Sequence, residues 1–204
     1  MGNEARIGLF GGTFDPIHMA HLVMAEMAIE KMRLSKVIFL PAGEPWLKGD
    51  KVVAPAKQRL QMVRLATRGN PNFEVSSVEV DRPGPSYTVV TVDALRTQWG
   101  KQASLFLILG VDALLSLPEW KEPARLVKEC QFIVLPRSGS EFRVPEVLER
   151  NLPGISSRVA LLEAPEIGIS STCIRDRVSR GLSIRYLVPE SVESYIKKHG
   201  MYVG

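Results

Sequence analysis

The run from Arg6 to His21, RIGLFGGTFDPIHMAH, constrains this chain more than any other stretch. It opens with an apolar segment, Ile7 to Phe10, followed by Gly11 and Gly12. Thr13, Phe14, Asp15 and Pro16 form a turn-prone set, and His18 and His21 head a long apolar segment. That order predicts a strand, a glycine turn and a helix, with both histidines in the first helical turn. Glycines let backbone approach a ligand closely. A helix N-terminus presents unpaired N–H groups and partial positive charge. Residues three apart share a helix face, so His18 and His21 can aim at one anion. Imidazole donates a hydrogen bond whether neutral or protonated. The helical zinc motif instead needs histidines four apart with a glutamate between them. Here only Met19 and Ala20 intervene.

The pattern of strand and helix continues downstream. The helix from about His18 to Arg33 is apolar nearly all round, with Glu26, Glu30 and Arg33 on one stripe. Val37 to Leu40 reads as a buried parallel strand, which completes a right-handed βαβ unit. Pro41 to Pro55 is a loop carrying Trp46, Lys48 and Lys51. Open α/β sheets bind ligands past the carboxyl ends of their strands, where this loop begins. Helices are expected over Ala56–Arg68 and from Ser86, as N-cap, to Trp99. One or two short strands are expected between Phe73 and Val80. Further strands are expected over Ser104–Leu109, Gln131–Leu135 and Val159–Leu162, with a short helix over Arg143–Asn151. The last helix, about Pro189 to His199, has acidic residues early and basic residues late, as structural work requires. Alternating strands and helices predict an α/β fold with a doubly wound, mostly parallel sheet of the Rossmann-like kind. Its 204 residues suit a single domain over 1–204, with a C-terminal helical part from about 168.

A net charge of +4 suits a polyphosphate ligand and is too small to argue nucleic acid by itself. Cys130 and Cys173 stand far apart without metal spacing, and are expected to be reduced, semi-buried thiols. The opening residues lack a secretory leader pattern, and no apolar run reaches the roughly 20 residues of a membrane span. A cytoplasmic protein is expected.

A second phosphate-binding candidate is Ile169 to Arg177, ISSTCIRDR. Ser170, Ser171 and Thr172 can cap a helix and donate hydroxyls, with Arg175 one turn further in. Two helix N-termini with basic side chains, plus a lysine loop, suggest a triphosphate gripped at both ends. There is no Walker pattern, no carboxylate pair placed as acid and base, and no serine or cysteine set with histidine and an acid. Positioning and charge stabilisation remain, and they suffice for phosphoryl or nucleotidyl transfer.

The first run resembles the nucleotidylyltransferase family, whose nicotinate mononucleotide branch carries GGTFDPxHxGH. Gly11, Gly12, Thr13, Phe14, Asp15, Pro16, His18 and His21 match, and Ala20 stands where glycine is usual. PAGEPWLK keeps Pro41, Pro45 and Lys48 but has Leu47 where histidine is usual. PSYTVVT, LGVDALLSLPEW and ISSTCIR match in order, so the resemblance covers most of the chain. It implies adenylyl transfer from ATP to nicotinate mononucleotide, giving deamido-NAD and pyrophosphate with Mg²⁺. The sequence shows no acidic cage, so Mg²⁺ is expected to arrive on the ATP, and no residue is singled out as a metal ligand.

By the same resemblance, His18 and His21 stabilise charge on the transferred phosphate. Arg175, with Ser171 and Thr172, holds the β- and γ-phosphates, and Lys48 closes over them. Gly11, Gly12, Thr13, Phe14, Ile169 and Ser170 complete the ATP contacts, with Gly110 and Asp112 near the ribose. Tyr87 and Trp120 sandwich the pyridine ring, and N–H groups near Thr88 and Val89 meet the nicotinate carboxylate. Such a site prefers the acid to the amide. Asp15 is read as a turn residue. The rivals are a pantetheine-phosphate adenylyltransferase, a cytidylyltransferase, or a non-catalytic nucleotide-sensing or RNA-binding protein. A homo-oligomer is left open; neither a nucleic acid nor a membrane partner is expected.

Overall fold

A computed structural model describes residues 5–47, 53–99, 103–136, 142–163, 165 and 167–203. The backbone forms two compact units. One comprises Met1–Gly11, Ala25–Ile38 and Tyr87–Glu166; the other comprises Gly12–Met24, Phe39–Ser86 and Ile167–Gly204.

Six strands build one sheet: β1 (Arg6–Gly12), β2 (Lys36–Pro41), β3 (Phe73–Val75), β4 (Ser104–Gly110), β5 (Cys130–Leu135) and β6 (Val159–Leu161). Their order is β3-β2-β1-β4-β5-β6. β1 pairs with β4, β4 with β5, and β5 with β6, all parallel. The helices are α1 (Met19–Met32), α2 (Ala56–Thr67), α3 (Thr88–Trp99), α4 (Val111–Leu115), α5 (Pro123–Glu129), α6 (Glu146–Asn151), α7 (Ser171–Ser179) and α8 (Glu190–Lys198). The expected doubly wound α/β sheet is the one observed. The strand order reverses direction between β1 and β4, and such a switch point is where open sheets bind ligands.

In the first unit the sheet is buried by long apolar runs. Ile7, Leu9 and Phe10 of β1, Leu105 to Leu109 of β4 and Phe132 to Leu135 of β5 are all buried. Continuous burial is what helices on both sheet faces produce. At Gly8 a Cβ would come within 2.9 Å of the Leu34 and Val37 side chains, so a glycine lets them close over the strand. Arg96 donates to the carbonyls of Ala103 (2.7 Å) and Glu129 (2.9 Å). Arg125 reaches Asp93 on α3 and Glu129 on its own helix. The two arginines tie α3 to α5 and to the entry of β4.

In the second unit Leu60, Met62 and Val63 of α2 are buried, as are Val192 and Ile196 of α8. Ser191 Oγ donates to the Leu65 carbonyl (3.1 Å), fixing α8 on α2. No helix among the described residues is long and apolar enough to cross a membrane.

Several local expectations are corrected. β1 runs on to Gly12, so Gly11 and Gly12 end the strand instead of turning it. α3 begins at Thr88, so Ser86 is not its N-cap; the Ser86 hydroxyl instead accepts the Gly43 N–H (2.9 Å). The Tyr87 carbonyl opens that helix by accepting from Val90 and Thr91. Of the one or two short strands expected between Phe73 and Val80, one forms, Phe73–Val75, in keeping with the expectation. α6 starts at Glu146, since Pro145 disfavours helical geometry at Val144. Cys130 is buried, which pushes its thiol up to about 12, whereas Cys173 is exposed; neither is semi-buried.

Candidate active site

The chemistry-bearing groups of the second unit gather around the turn from Thr13 to Pro16. His18 is the last residue before α1, not part of its first turn, and is 6% exposed. His21 lies one turn on. The imidazoles stack with centroids 3.7 Å apart and planes at 25°. The His18 backbone N–H donates to His21 Nδ1 (3.2 Å). That bond occupies the lone pair on Nδ1, so the neutral ring carries its proton on Nε2 and can donate from there. Phe14 meets the His21 ring edge-on at 5.0 Å and steadies it. His18 Nδ1 is buried with no hydrogen-bond partner. Burial holds this histidine down at about 4, so it is uncharged at neutral pH.

The second stretch docks onto the same turn. Ser170 caps α7, its Oγ accepting the Cys173 N–H (3.2 Å). Ser171 Oγ donates to the Pro16 carbonyl (2.8 Å). Arg175 Nη1 donates to the Asp15 carbonyl (2.8 Å), and its Nη2 lies 3.4 Å from Thr172 Oγ1. Thr172 is exposed and Ile169 half-buried. Residues some 160 positions apart thus meet at one turn, with the start of α7 beside it. Lys48 lies outside the described residues. Its neighbour Leu47 is 45% exposed, and Ala20 is buried.

The first unit holds the other candidates. Gly11, next to last in β1, and Gly110, last in β4, lie on either side of the switch point, and a Cβ at either would meet nothing within 4 Å. Asp112 is exposed in the first turn of α4. Tyr87 is half-buried before α3, and Lys121 Nζ sits 4.7 Å above its ring. Trp120 is half-buried, its indole N–H directed at Ser116 Oγ (3.3 Å). Thr88 and Val89 are the first residues of α3, where N–H groups lack intrahelical acceptors. Val89 turns its side chain into the core at 1% exposure.

The sequence matches the cytidylyltransferase-like family over residues 9–177. A Roseiflexus protein named "Probable nicotinate-nucleotide adenylyltransferase" is 48% identical, over 98% of this chain and 99% of its own. A Dehalococcoides mccartyi protein of the same name is 40% identical, over 97% of each. The chain belongs to the nicotinate-nucleotide adenylyltransferase family. Among solved structures, a Plasmodium falciparum nicotinic acid mononucleotide adenylyltransferase complexed with NaAD superposes with a TM-score of 0.78 at 19% identity, covering 97% of both chains. The same enzyme complexed with APC gives 0.72 at 18% identity over 97% of both chains. At that identity the likeness establishes a shared fold.

This adenylyltransferase-family chain also carries a buried polar cluster in which Asp15 does more than turn the chain, joined by Tyr202 and Arg59, which no motif pointed to. The Asp15 carboxylate is buried and accepts from the N–H groups of Val53 (2.8 Å) and Ala54 (3.2 Å) and from the Tyr202 hydroxyl (2.7 Å). Burial, and then the bond to Asp15, push the Tyr202 phenol upward. Arg59, at 1% exposure, is one of the largest fully buried side chains among the described residues. Burial lowers it, and the charge of Asp15 opposes that. The one signal in the sequence was a charged residue inside the apolar stripe of α2, next to Leu60. Among the described residues no group of three or more His, Cys, Asp or Glu could hold a metal ion.

Proposed function

We infer that the chain transfers the adenylyl group of ATP to nicotinate mononucleotide, releasing pyrophosphate and forming deamido-NAD in NAD biosynthesis. The observation that carries this reading is the convergence of the His18–His21 stack and the start of α7 on one turn. The mononucleotide phosphate oxygen attacks the α-phosphorus of ATP. A new P–O bond forms there as the bond to the bridging oxygen breaks and pyrophosphate leaves.

The protein supplies placement and charge. His21 donates from Nε2 to the phosphate that gathers charge in the transition state. His18 is neutral when empty, and a triphosphate beside it favours its protonated form. Arg175, Ser171 and Thr172 hold the β- and γ-phosphates at the N-terminus of α7. Lys48 completes the grip. Gly11, Gly12, Thr13 and Phe14 pass close to the nucleotide, with Ile169 and Ser170 on the other stretch. Gly110 leaves room for the nucleoside, and Asp112 accepts from ribose hydroxyls.

Tyr87 and Trp120 hold the pyridine ring. The first N–H groups of α3, at Thr88 and Val89, receive its carboxylate, so the acid is preferred to nicotinamide mononucleotide. Mg²⁺ travels on the phosphates of ATP. Asp15, the acid nearest the turn, already has both carboxylate oxygens engaged.

Pyrophosphate release, measured with ATP and each of nicotinate mononucleotide, its amide and phosphopantetheine, tests the assignment. Release only with phosphopantetheine, or with none of the three, would overturn it.

A further inference from the structure

Each nitrogen of the Arg59 guanidinium donates to a backbone carbonyl. Nε donates to the Ala54 carbonyl (3.0 Å), Nη1 to the Thr13 carbonyl (2.6 Å) and Nη2 to the Gly43 carbonyl (3.1 Å). A buried cation is costly unless its donors are satisfied, and an apolar side chain would fill the same space more cheaply. The targets explain why a cation stands there. Thr13 belongs to the phosphate turn, while Gly43 and Ala54 flank the segment between β2 and α2. A planar fork reaches three separate carbonyls in a way that no single ammonium does.

Gly43 is itself forced: a Cβ there would collide with the Glu79 carbonyl oxygen. Asp15 grips the same segment from the other side through Val53 and Ala54, and is held in turn by Tyr202. Phe14 adopts a φ of 50°, which side chains other than glycine rarely take, so its conformation depends on these contacts.

We propose that Arg59, backed by Asp15 and Tyr202, is the positioning residue that sets the Thr13–Pro16 turn for a triphosphate. This rests on reading that turn as the phosphate site. The Thr13, Asp15 and Pro16 carbonyls are taken by Arg59, Arg175 and Ser171 respectively. Each acceptor is thereby turned toward a protein donor and away from an incoming polyanion, which it would repel. Because the peptide is planar and trans, fixing the Thr13 carbonyl also fixes the Phe14 N–H in the opposite direction. Arg59 touches no reacting atom; it acts through the backbone it holds.

The test uses the full chain with Arg59→Lys and Tyr202→Phe, each checked for folding by its thermal midpoint. Steady-state constants for ATP and nicotinate mononucleotide are measured, together with the calorimetric Kd for inorganic triphosphate. Arg59→Lys should raise the KM for ATP and the triphosphate Kd by roughly 10-fold, as small misplacements do. Tyr202→Phe should raise both by about 3-fold, the scale of one lost hydrogen bond. The KM for nicotinate mononucleotide should stay level in both. A folded variant with wild-type triphosphate affinity and ATP KM would reduce Arg59 to a packing role. If Arg59→Lys fails to fold, Tyr202→Phe decides alone. Wild-type protein that binds triphosphate but releases no pyrophosphate would sink the substrate assignment, and the triphosphate shifts would still judge Arg59.

Discussion

Around their candidate residues the two units order the backbone by different means. In the first, side-chain charges pair with one another or with the ends of elements, as Arg125 does with Asp93 and Glu129. Its backbone is ordered by the ladders of β1, β4, β5 and β6, and its candidate residues stand at element ends: Gly110, Asp112, Tyr87 and Thr88. In the second, an irregular turn is ordered by side chains that donate to its carbonyls. Arg59, Ser171 and Arg175 come from 46, 155 and 160 positions away. A regular sheet needs no such help. A turn proposed to face a polyanion gains from it, because its own acceptors are then directed elsewhere. Under the proposed function, recognition rests on standard helix starts, whereas the phosphate contacts rest on backbone fixed from several directions.

The sharpest way to break this comparison is His21→Ala. If the second unit holds the chemistry, the loss of one oriented donor should lower kcat by roughly 10²–10³ with the thermal midpoint unchanged. The drop should appear equally in kcat/KM, since the interaction belongs to the transition state. Near-normal turnover would move the chemistry away from this turn.

A second test uses the burial of His18. Its native value of about 4 lies below the ordinary 6.5. Between those limits the unfolded chain takes up a proton that the folded chain refuses. Stability should therefore be full above pH 6.5 and fall as the pH drops toward 4, with about 3 kcal/mol at stake below both values. His18→Asn should flatten that part of the stability profile, as followed by denaturant unfolding at a series of pH values. An unchanged slope would mean that another group carries it. ATP should blunt the wild-type decline, because phosphate favours the charged ring.

The comparison also explains what could be read in advance. The sheet was legible because its strands are uninterrupted apolar runs, Leu105 to Leu109 and Phe132 to Leu135 among them. The two candidate phosphate stretches stood out because glycine, histidine and capping residues cluster within a few positions. Arg59, Tyr202 and the bracing role of Asp15 were not, since their partners are fixed only by tertiary contact. Ser86 misled for the same reason: a good capping residue was diverted to the Gly43 N–H, 43 positions away. His18 was placed inside its helix because periodicity marks a face and not a first residue.

On the recognition side, Trp120→Ala should raise the KM for nicotinate mononucleotide about 10-fold, the worth of one stacked face. The KM for ATP should barely move. A parallel rise in both constants would count against the proposed assignment of the pyridine ring to Trp120 and of the phosphates to the His21 turn. The stack also predicts that the acid and the amide lose affinity together, because both rings are flat and aromatic. The carboxylate contribution, supplied by the start of α3, should survive as an unchanged ratio of kcat/KM for the two.

The smallest effect concerns Ser170, where the two kinds of order meet at adjacent residues. Ser170 closes its own helix by accepting the Cys173 N–H, while Ser171 donates to the distant Pro16 carbonyl. Replacing Ser170 by alanine should cost about 1 kcal/mol of stability, and glycine only a few tenths, since glycine still suits the capping backbone. Both variants keep the Ser171 and Arg175 bonds to the turn, so the triphosphate Kd should change by less than about 2-fold. Ser171→Ala should do the reverse, with little lost in stability and a clear loss in triphosphate affinity, because Pro16 is released. Denaturant midpoints and triphosphate titrations on the three variants give the two orderings directly. If Ser170→Ala weakened triphosphate binding more than Ser171→Ala, the cap itself would be the ligand contact. Docking of α7 onto the turn would then be secondary.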